Sequence, residues 1–335
     1  MKVYLHGRDW TGWSIDTDRN HVERFLKEIG QTLTANFITA DVIHSVWWNQ
    51  LLSMKSFPLR IKKNIIATAT NQIEPYNRDY LCAKKFVSLW IAPSKRQYEI
   101  LKNDGVRVAY QPFYVDERIF RRLDKSKEEL ALLLGINYEF IRNKFLIGSF
   151  QRDTQGSDLR SPKWQKGPEQ LIEILDSLPR KEKWLIVLAG PRRHFIIKEC
   201  EKRGIPYLYY GKKPLPGIDD ITINTLDSER MSQLYNLIDC YIVTSVSEGG
   251  PKAILEASFC KTLIFSTDVG LAPDIIDKRC IYNKSSTVVS YLEQLINREN
   301  QDYFQELVSN NFNNVNQTCS FEVTKHRWRT IYESL

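Results

Sequence analysis

The order of apolar and amphipathic segments constrains the fold of this chain more than any other feature. Short apolar runs such as "KVYLH", "KNIIATAT" and "KWLIVLAG" alternate with longer segments whose apolar residues recur at helical spacing. Strands that alternate with helices form parallel sheets, because each crossover lays a helix on one face of the sheet. The sequence therefore predicts an α/β protein with doubly wound parallel sheets.

The alternation is interrupted once. From about residue 112 to 143 the chain is charged and contains one helical stretch, "RRLDKSKEELALLL", and the strand–helix order restarts at "KFLIGSF". A chain of 335 residues is also too long for one average domain of about 100–200 residues. We therefore predict Rossmann-like domains over residues 1–125 and 144–319, a connector over 126–143 and a C-terminal helix over 320–335. A ligand is expected at the carboxyl ends of the strands, in a cleft between the domains.

Composition and charge limit the classes of ligand and the cellular compartment that the sequence predicts. The formal net charge of +7 suits an anionic ligand, while no nucleic-acid-binding motif is present, so we expect no nucleic-acid partner. The six cysteines form neither a CxxC pair nor a zinc-spaced cluster with histidine. No apolar run reaches the length of a membrane span, and the N-terminus reads as a strand. These features predict a cytoplasmic protein without disulfides.

A glycine turn leads from a strand into a helix at "TSVSEGGPKAILEAS". Gly249 and Gly250 allow the backbone to approach a ligand closely, and Pro251 takes the first helical position, where its missing N–H costs nothing. The free N–H groups of the helix start, including that of Lys252, attract a phosphate through hydrogen bonds and the helix dipole. The segment therefore predicts an anion-binding site.

Two carboxylates flank this helix start. Glu248 stands at its rim, where a loop carboxylate that caps the helix is the alternative interpretation. Glu256 lies within the apolar stretch "AILEASFC", and a carboxylate buried there must be paired or hydrogen-bonded. The two hydroxyls of a ribose are suitable partners for Glu256, and an exposed helix glutamate is the alternative.

The longer stretch "SVSEGGPKAILEASFCKTLIFSTDVGLAPDII" resembles a signature of retaining GT-B glycosyltransferases, in particular family 4. That signature places two glutamates with seven residues between them, and here Glu248–Gly249 and Glu256–Ala257 fall in its register. The resemblance implies two Rossmann-like domains that face a central cleft, with the sugar donor on the C-terminal domain. It assigns Glu256 to the ribose and Glu248 to the sugar, and it implies neither a metal nor another cofactor.

A second stretch, "IGSFQRDTQGSDLRSPKWQKGPEQLIEIL", is similar to the donor-phosphate loops of the same family. On that register Arg152 and Lys166 form the basic pair that holds the donor diphosphate; the alternative is that they are ordinary members of 47 basic residues. The resemblance also makes Leu226 a contact of the nucleotide base. The final "WRTIYESL" resembles the last helix of the fold, which crosses back to the N-terminal domain.

The acceptor side departs from the family pattern. The first strand is followed by "HGRDWTGWS", with Gly12 as the one plausible glycine where the family has two, and Asn71 stands where a histidine is usual. Gly12 is expected to bind the donor, and the acceptor is expected to pass Gly12 and Trp13. His6 and His44 end predicted strands and are further acceptor-side candidates, with a structural role as the alternative.

The activity implied by the resemblance is retaining transfer of a sugar from a UDP-, GDP- or ADP-linked donor to a glycan, lipid-linked or other hydroxyl acceptor. A nucleotide-sugar-binding protein without catalysis and a sugar-nucleotide epimerase are the alternatives. The triplet "DTD" at residues 16–18 precedes the first predicted helix, so helix capping explains it better than a metal site. The apolar and basic stretch "LLSMKSFPLRIKK" predicts either peripheral contact with an anionic membrane or a buried helix with a solvated end.

Overall fold

The computed structural model describes residues 1–10, 12, 14–53 and 64–335. These residues form two compact units. The first unit comprises Met1–Tyr114, Glu248–Lys252 and Gln317–Leu335, and the second comprises Val115–Ser247 and Ala253–Asn316. Each unit is built on one parallel sheet, which confirms the predicted doubly wound α/β fold.

The first unit contains, within the described residues, a six-stranded sheet in the order β2-β1-β3-β4-β5-β6. Its strands are β1 Lys2–His6, β2 Thr32–Leu33, β3 Val42–Ser45, β4 Asn64–Thr68, β5 Leu89–Ala92 and β6 Val108–Tyr110. Its helices are α1 Ser14–Glu28, α2 Arg78–Ala83, α3 Lys95–Asn103 and the C-terminal α14 Phe321–Glu333, with a 3-10 helix at Trp48–Ser53.

Both faces of this first sheet carry an apolar core, as the near-continuous apolar strands require. On one face the core includes Phe25 of α1 together with Trp328 and Tyr332 of α14. On the other face Trp48 and Trp90 form part of a second core. The C-terminal helix therefore supplies large buried side chains to a sheet formed by the beginning of the chain.

The second unit contains, within the part of the chain described, a six-stranded sheet in the order β12-β11-β10-β7-β8-β9. Its strands are β7 Phe145–Ser149, β8 Trp184–Ala189, β9 Tyr207–Tyr210, β10 Cys240–Val243, β11 Leu263–Thr267 and β12 Ile281–Tyr282. Its helices are α4 Lys127–Leu134, α5 Tyr138–Ile141, α6 Pro168–Ser177, α7 His194–Arg203, α8 Ile221–Asn224, α9 Ser228–Leu237, α10 Lys252–Phe259, α11 Ala272–Ile275, α12 Ser285–Ile296 and α13 Gln301–Cys319. Lys252 of α10 and residues 317–319 of α13 are grouped with the first unit. Two 3-10 helices lie at Trp164–Lys166 and Lys278–Cys280.

The strand order of the second sheet reverses between β7 and β10. From β7 the chain moves outward through β8 and β9, and it then returns to the other side of β7 to place β10, β11 and β12. The loops that leave two such neighbouring strands diverge to opposite faces of the sheet, which opens a crevice at their carboxyl ends. The loops after β7 and β10 are the ones that carry Arg152 and Glu248.

Residues 126–143, which the sequence predicts as a connector, and the segment before them pack within the second unit: the Leu123 N–H donates to Asn236 Oδ1 at 2.8 Å, and Lys127 pairs with Asp239 at 2.6 Å. One sequence prediction is wrong. The acidic triplet at residues 16–18 lies inside α1 rather than before it, because that helix already begins at Ser14.

Candidate functional site

Glu256 lies on α10 and is held by a tyrosine. The flanking Leu255 and Ala257 are fully buried, and the Glu256 side chain is half-buried. The Tyr235 hydroxyl of α9 donates a hydrogen bond to Glu256 Oε2 at 2.8 Å. Burial raises the pKa of Tyr235 well above its ordinary value, so this hydroxyl stays a donor. The carboxylate therefore has a fixed orientation.

The glycine turn before α10 approaches another part of the backbone. A Cβ at Gly249 would lie 2.2 Å from the carbonyl oxygen of Thr70, so only glycine fits. The neighbouring Asn71 accepts a hydrogen bond from Trp48 Nε1 at 2.8 Å through its Oδ1. Glu248 and Gly250 beside this glycine are half-buried, and Pro251 is buried. The sequence predicted close approach at Gly249 to a ligand, and here the approaching group is the Thr70 carbonyl.

The side chain of Lys252 forms an ion pair with Asp18 of α1. The Nζ to Oδ1 distance is 2.7 Å, and both side chains are mostly buried at 16% and 13% exposure. Burial raises the pKa of Asp18, and the ammonium of Lys252 counteracts part of that rise. The ion pair fixes the segment Glu248–Lys252 to α1 within the first unit.

Lys166 closes a short 3-10 helix that is joined to the end of β10. Its carbonyl accepts a hydrogen bond from Thr244 Oγ1 at 2.9 Å. Gly167 has φ 56° and lies so close that a Cβ would be 2.0 Å from the Thr244 carbonyl oxygen, so this position requires glycine. The Lys166 backbone is therefore fixed at the point where the second sheet reverses. Lys166 and Arg152 are both half-buried.

A buried cluster that the sequence analysis missed anchors the loop of Arg152. The next residue, Asp153, accepts hydrogen bonds from the N–H groups of Phe195 and Ile196 at the start of α7, and its Oδ2 lies 3.5 Å from Arg193 Nε. Burial raises the pKa of Asp153 to about 6, against the opposing effect of Arg193. A local signal was absent, because "PRRHF" offers no usual capping residue and the cap comes from a distant loop.

Comparison with known families identifies the second unit. Residues 157–298 match the family model described as glycosyl transferases group 1, and this range contains Lys166, Glu248 and Glu256. The protein is therefore a glycosyltransferase. No curated protein sequence matches it.

The solved structures that resemble this glycosyltransferase show its fold to be GT-B. HepE from Anabaena in complex with UDP and glucose has 15% identity and a TM-score of 0.75, with 100% of both chains covered. A glycosyltransferase from Rickettsia africae has 14% identity and a TM-score of 0.70, with 99% of this chain and 97% of that chain covered. Sucrose-phosphate synthase from Thermosynechococcus elongatus has 13% identity and a TM-score of 0.67, with 96% and 78% covered.

The remaining predicted site residues of the glycosyltransferase occupy varied environments. His6 is half-buried with Nε2 3.1 Å from the Gln50 carbonyl, and burial lowers its pKa. His44 is fully buried inside the first unit, where Nδ1 lies 2.8 Å from the Tyr332 hydroxyl, and burial lowers its pKa to about 3. Exposed Gly12 donates its N–H to Asp16. Leu226 is half-buried between α8 and α9.

Some predictions fall outside the described residues. Trp13 is one of them, as is most of the apolar and basic stretch proposed to touch a membrane. Among the helices described, none combines the length and the hydropathy needed to cross a membrane. All six cysteines are free thiols, and five are buried.

Proposed function

We propose that this glycosyltransferase takes its sugar from a UDP-linked donor and passes it to a hydroxyl acceptor with retention of the anomeric configuration and without a metal. The observation that carries the proposal is the position of Lys166 and Gly167 at the reversal point of the second sheet, joined to β10. UDP is the favoured nucleotide because HepE, which resembles the whole chain, has been solved with UDP and glucose.

The proposed roles follow from the chemistry of the side chains. Arg152 offers a planar fork of N–H donors and Lys166 an ammonium, which together neutralise the diphosphate of the donor. The N–H groups at the start of α10 add donors and a favourable dipole. Glu256, oriented by Tyr235, accepts hydrogen bonds from ribose hydroxyls. Glu248 accepts from hydroxyls of the sugar.

In the transfer step the bond between the anomeric carbon and the β-phosphate oxygen breaks. A new bond forms from that carbon to the acceptor oxygen on the same face. The acceptor proton passes to a phosphate oxygen of the departing diphosphate. The developing negative charge is stabilised by Arg152 and Lys166, so no metal is needed for that purpose.

A binding experiment tests the donor assignment. We expect UDP to stabilise the wild-type protein more than GDP or ADP does. At 100 times its Kd, UDP should raise the free energy of unfolding by about 2.7 kcal/mol. Lys166→Ala is expected to weaken UDP binding about tenfold or more, because it removes a charge-assisted contact. Lys198→Ala, at an exposed position on α7, is the matched control.

Unchanged UDP affinity in Lys166→Ala contradicts the assignment, and a response to GDP or ADP alone corrects the nucleotide. Activity is followed as release of UDP from UDP-sugars in the presence of EDTA. The configuration of the product is read by NMR: retention supports the proposal, and inversion refutes it. Conversion of one UDP-sugar into another, without UDP release, identifies an epimerase instead.

A further inference from the structure

Gln151, the residue before Arg152, bonds to both other segments of the candidate site. Its Nε2 donates to the Lys166 carbonyl at 3.1 Å and to Thr244 Oγ1 at 3.3 Å. Its Oε1 accepts from Ser245 Oγ at 3.2 Å. One side chain thus connects the loop after β7, the turn before α6 and the end of β10.

The orientation of the Gln151 amide follows from its partners. The Lys166 carbonyl can only accept, so the amide nitrogen must face it and the amide oxygen must face Ser245. The Thr244 hydroxyl accepts a hydrogen bond from Gln151 and donates one to the Lys166 carbonyl oxygen. That carbonyl oxygen thus accepts two hydrogen bonds, one from Gln151 and one from Thr244, which is its full capacity. The amide has no second orientation that satisfies all three groups.

The surroundings make this network stiff. Thr244 and Ser245 are fully buried. The Ser245 carbonyl accepts a hydrogen bond from the Thr267 hydroxyl at the end of β11. Hydrogen bonds among buried groups are costly to break, because a group left without a partner is not rehydrated. The network therefore fixes the loops on either side of the reversal point to the sheet itself.

We propose that Gln151 is a positioning residue, which sets the spacing between the Arg152 guanidinium and the Lys166 ammonium so that both reach one diphosphate. The inference rests on the proposed donor site. Gln151 acts through its neighbours: it restrains the backbone of Lys166 directly and that of Arg152 by adjacency in the chain. Misplacement of a binding group by about 1 Å can lower a rate roughly a hundredfold, so a restraint of this kind matters for catalysis.

The test compares a nucleoside diphosphate with its monophosphate. The probe is whichever of UDP, GDP and ADP stabilises the wild-type protein most. Gln151→Met keeps the length of the side chain and removes all three hydrogen bonds. We expect it to weaken diphosphate binding at least tenfold and monophosphate binding less than threefold, because two spaced cations matter most for two phosphates. Gln155→Met, at an exposed position in the same loop, is the control and is expected to change neither value.

Three results separate the inference from the function on which it rests. Equal weakening of both ligands by Gln151→Met shows a merely structural role and overturns the inference. Loss of diphosphate binding in Lys166→Ala with wild-type binding in Gln151→Met overturns it while the donor site stands. Wild-type diphosphate binding in Lys166→Ala overturns the donor site as well. If Gln151→Met does not fold, Ser245→Ala serves as the second variant, because it removes one of the three hydrogen bonds. It should weaken diphosphate binding at least threefold and monophosphate binding less. Equal weakening of both ligands by Ser245→Ala refutes the inference.

Discussion

Tyr235→Phe separates the role of Glu256 in ligand binding from the packing around it. The Tyr235 side chain is 1% exposed and its ring lies against Phe120, Phe150 and Tyr241. Phenylalanine keeps these ring contacts. The substitution therefore deletes little more than the hydroxyl that donates to Glu256 at 2.8 Å.

The magnitude follows from the partner that loses its bond. A hydrogen bond to a charged group contributes about 1.5–3 kcal/mol, and because Glu256 is half-buried, water recovers part of it. We expect the free energy of unfolding to fall by about 1.5 kcal/mol. A Glu256 side chain without this anchor must be ordered by the ligand, at about 0.5–1.5 kcal/mol. UDP affinity should therefore fall roughly three- to tenfold.

Urea unfolding and titration calorimetry with UDP measure the two effects. Tyr282→Phe is the control, since it removes another buried hydroxyl that donates to the Val243 carbonyl at 2.9 Å. The control should lose stability but keep its UDP affinity. If Tyr235→Phe also keeps wild-type affinity for UDP, then Glu256 is not held in place for the nucleotide and the reasoning fails.

Two further predictions concern the first unit. Gly249→Ala should lower the free energy of unfolding by about 3 kcal/mol, because its Cβ would overlap the Thr70 carbonyl. The control is Gly204→Ala, where a Cβ meets open space at φ 62°, and it should lower the free energy of unfolding by about 1–2 kcal/mol. Equal losses of the two variants in urea unfolding would contradict the clash at Gly249. The pKa of His44 is lowered to about 3 in the folded chain. The unfolded chain takes up a proton on this histidine near pH 6.5, whereas the folded chain does not. The free energy of unfolding should therefore decrease as the pH is lowered from about 6.5 toward 3, by up to about 1.4 kcal/mol per pH unit. His44→Gln should reduce this slope and His326→Gln, at an exposed position, should leave it unchanged; a slope that is the same in His44→Gln as in the wild type refutes the assignment.

The strands were predictable because buried parallel strands are nearly uninterrupted apolar runs. Elements without such a local signal were not. Strand β2, Thr32–Leu33, is two residues long, too short for a periodic pattern, although Gly30 at φ 78° marks where α1 stops. Helix α13, Gln301–Cys319, is rich in asparagine, a poor helix former, and its stability comes from buried residues at helical spacing such as Phe304 and Leu307.

For the candidate site, the sequence indicates that a side chain needs a partner but not which residue supplies it. The apolar setting of Glu256 predicted that the carboxylate needs a partner, but not that Tyr235 of another helix supplies one. The three bonds of Gln151 join segments that lie far apart in the chain, so no spacing in the sequence reveals them. Periodicity reports local burial, whereas these contacts depend on which loops the strand order brings together.

Helix α14 belongs to the first unit, but its residues are translated after those of the second unit. Trp328, Ile331 and Tyr332 lie in its core, and the Tyr332 hydroxyl is bonded to His44 of the first-made half. During synthesis one apolar face of the N-terminal sheet is therefore covered only in part, by α1, until the second unit is complete. A nascent chain stalled before residue 317 should present that face to chaperones, and the first unit should be the last part of the protein to resist protease.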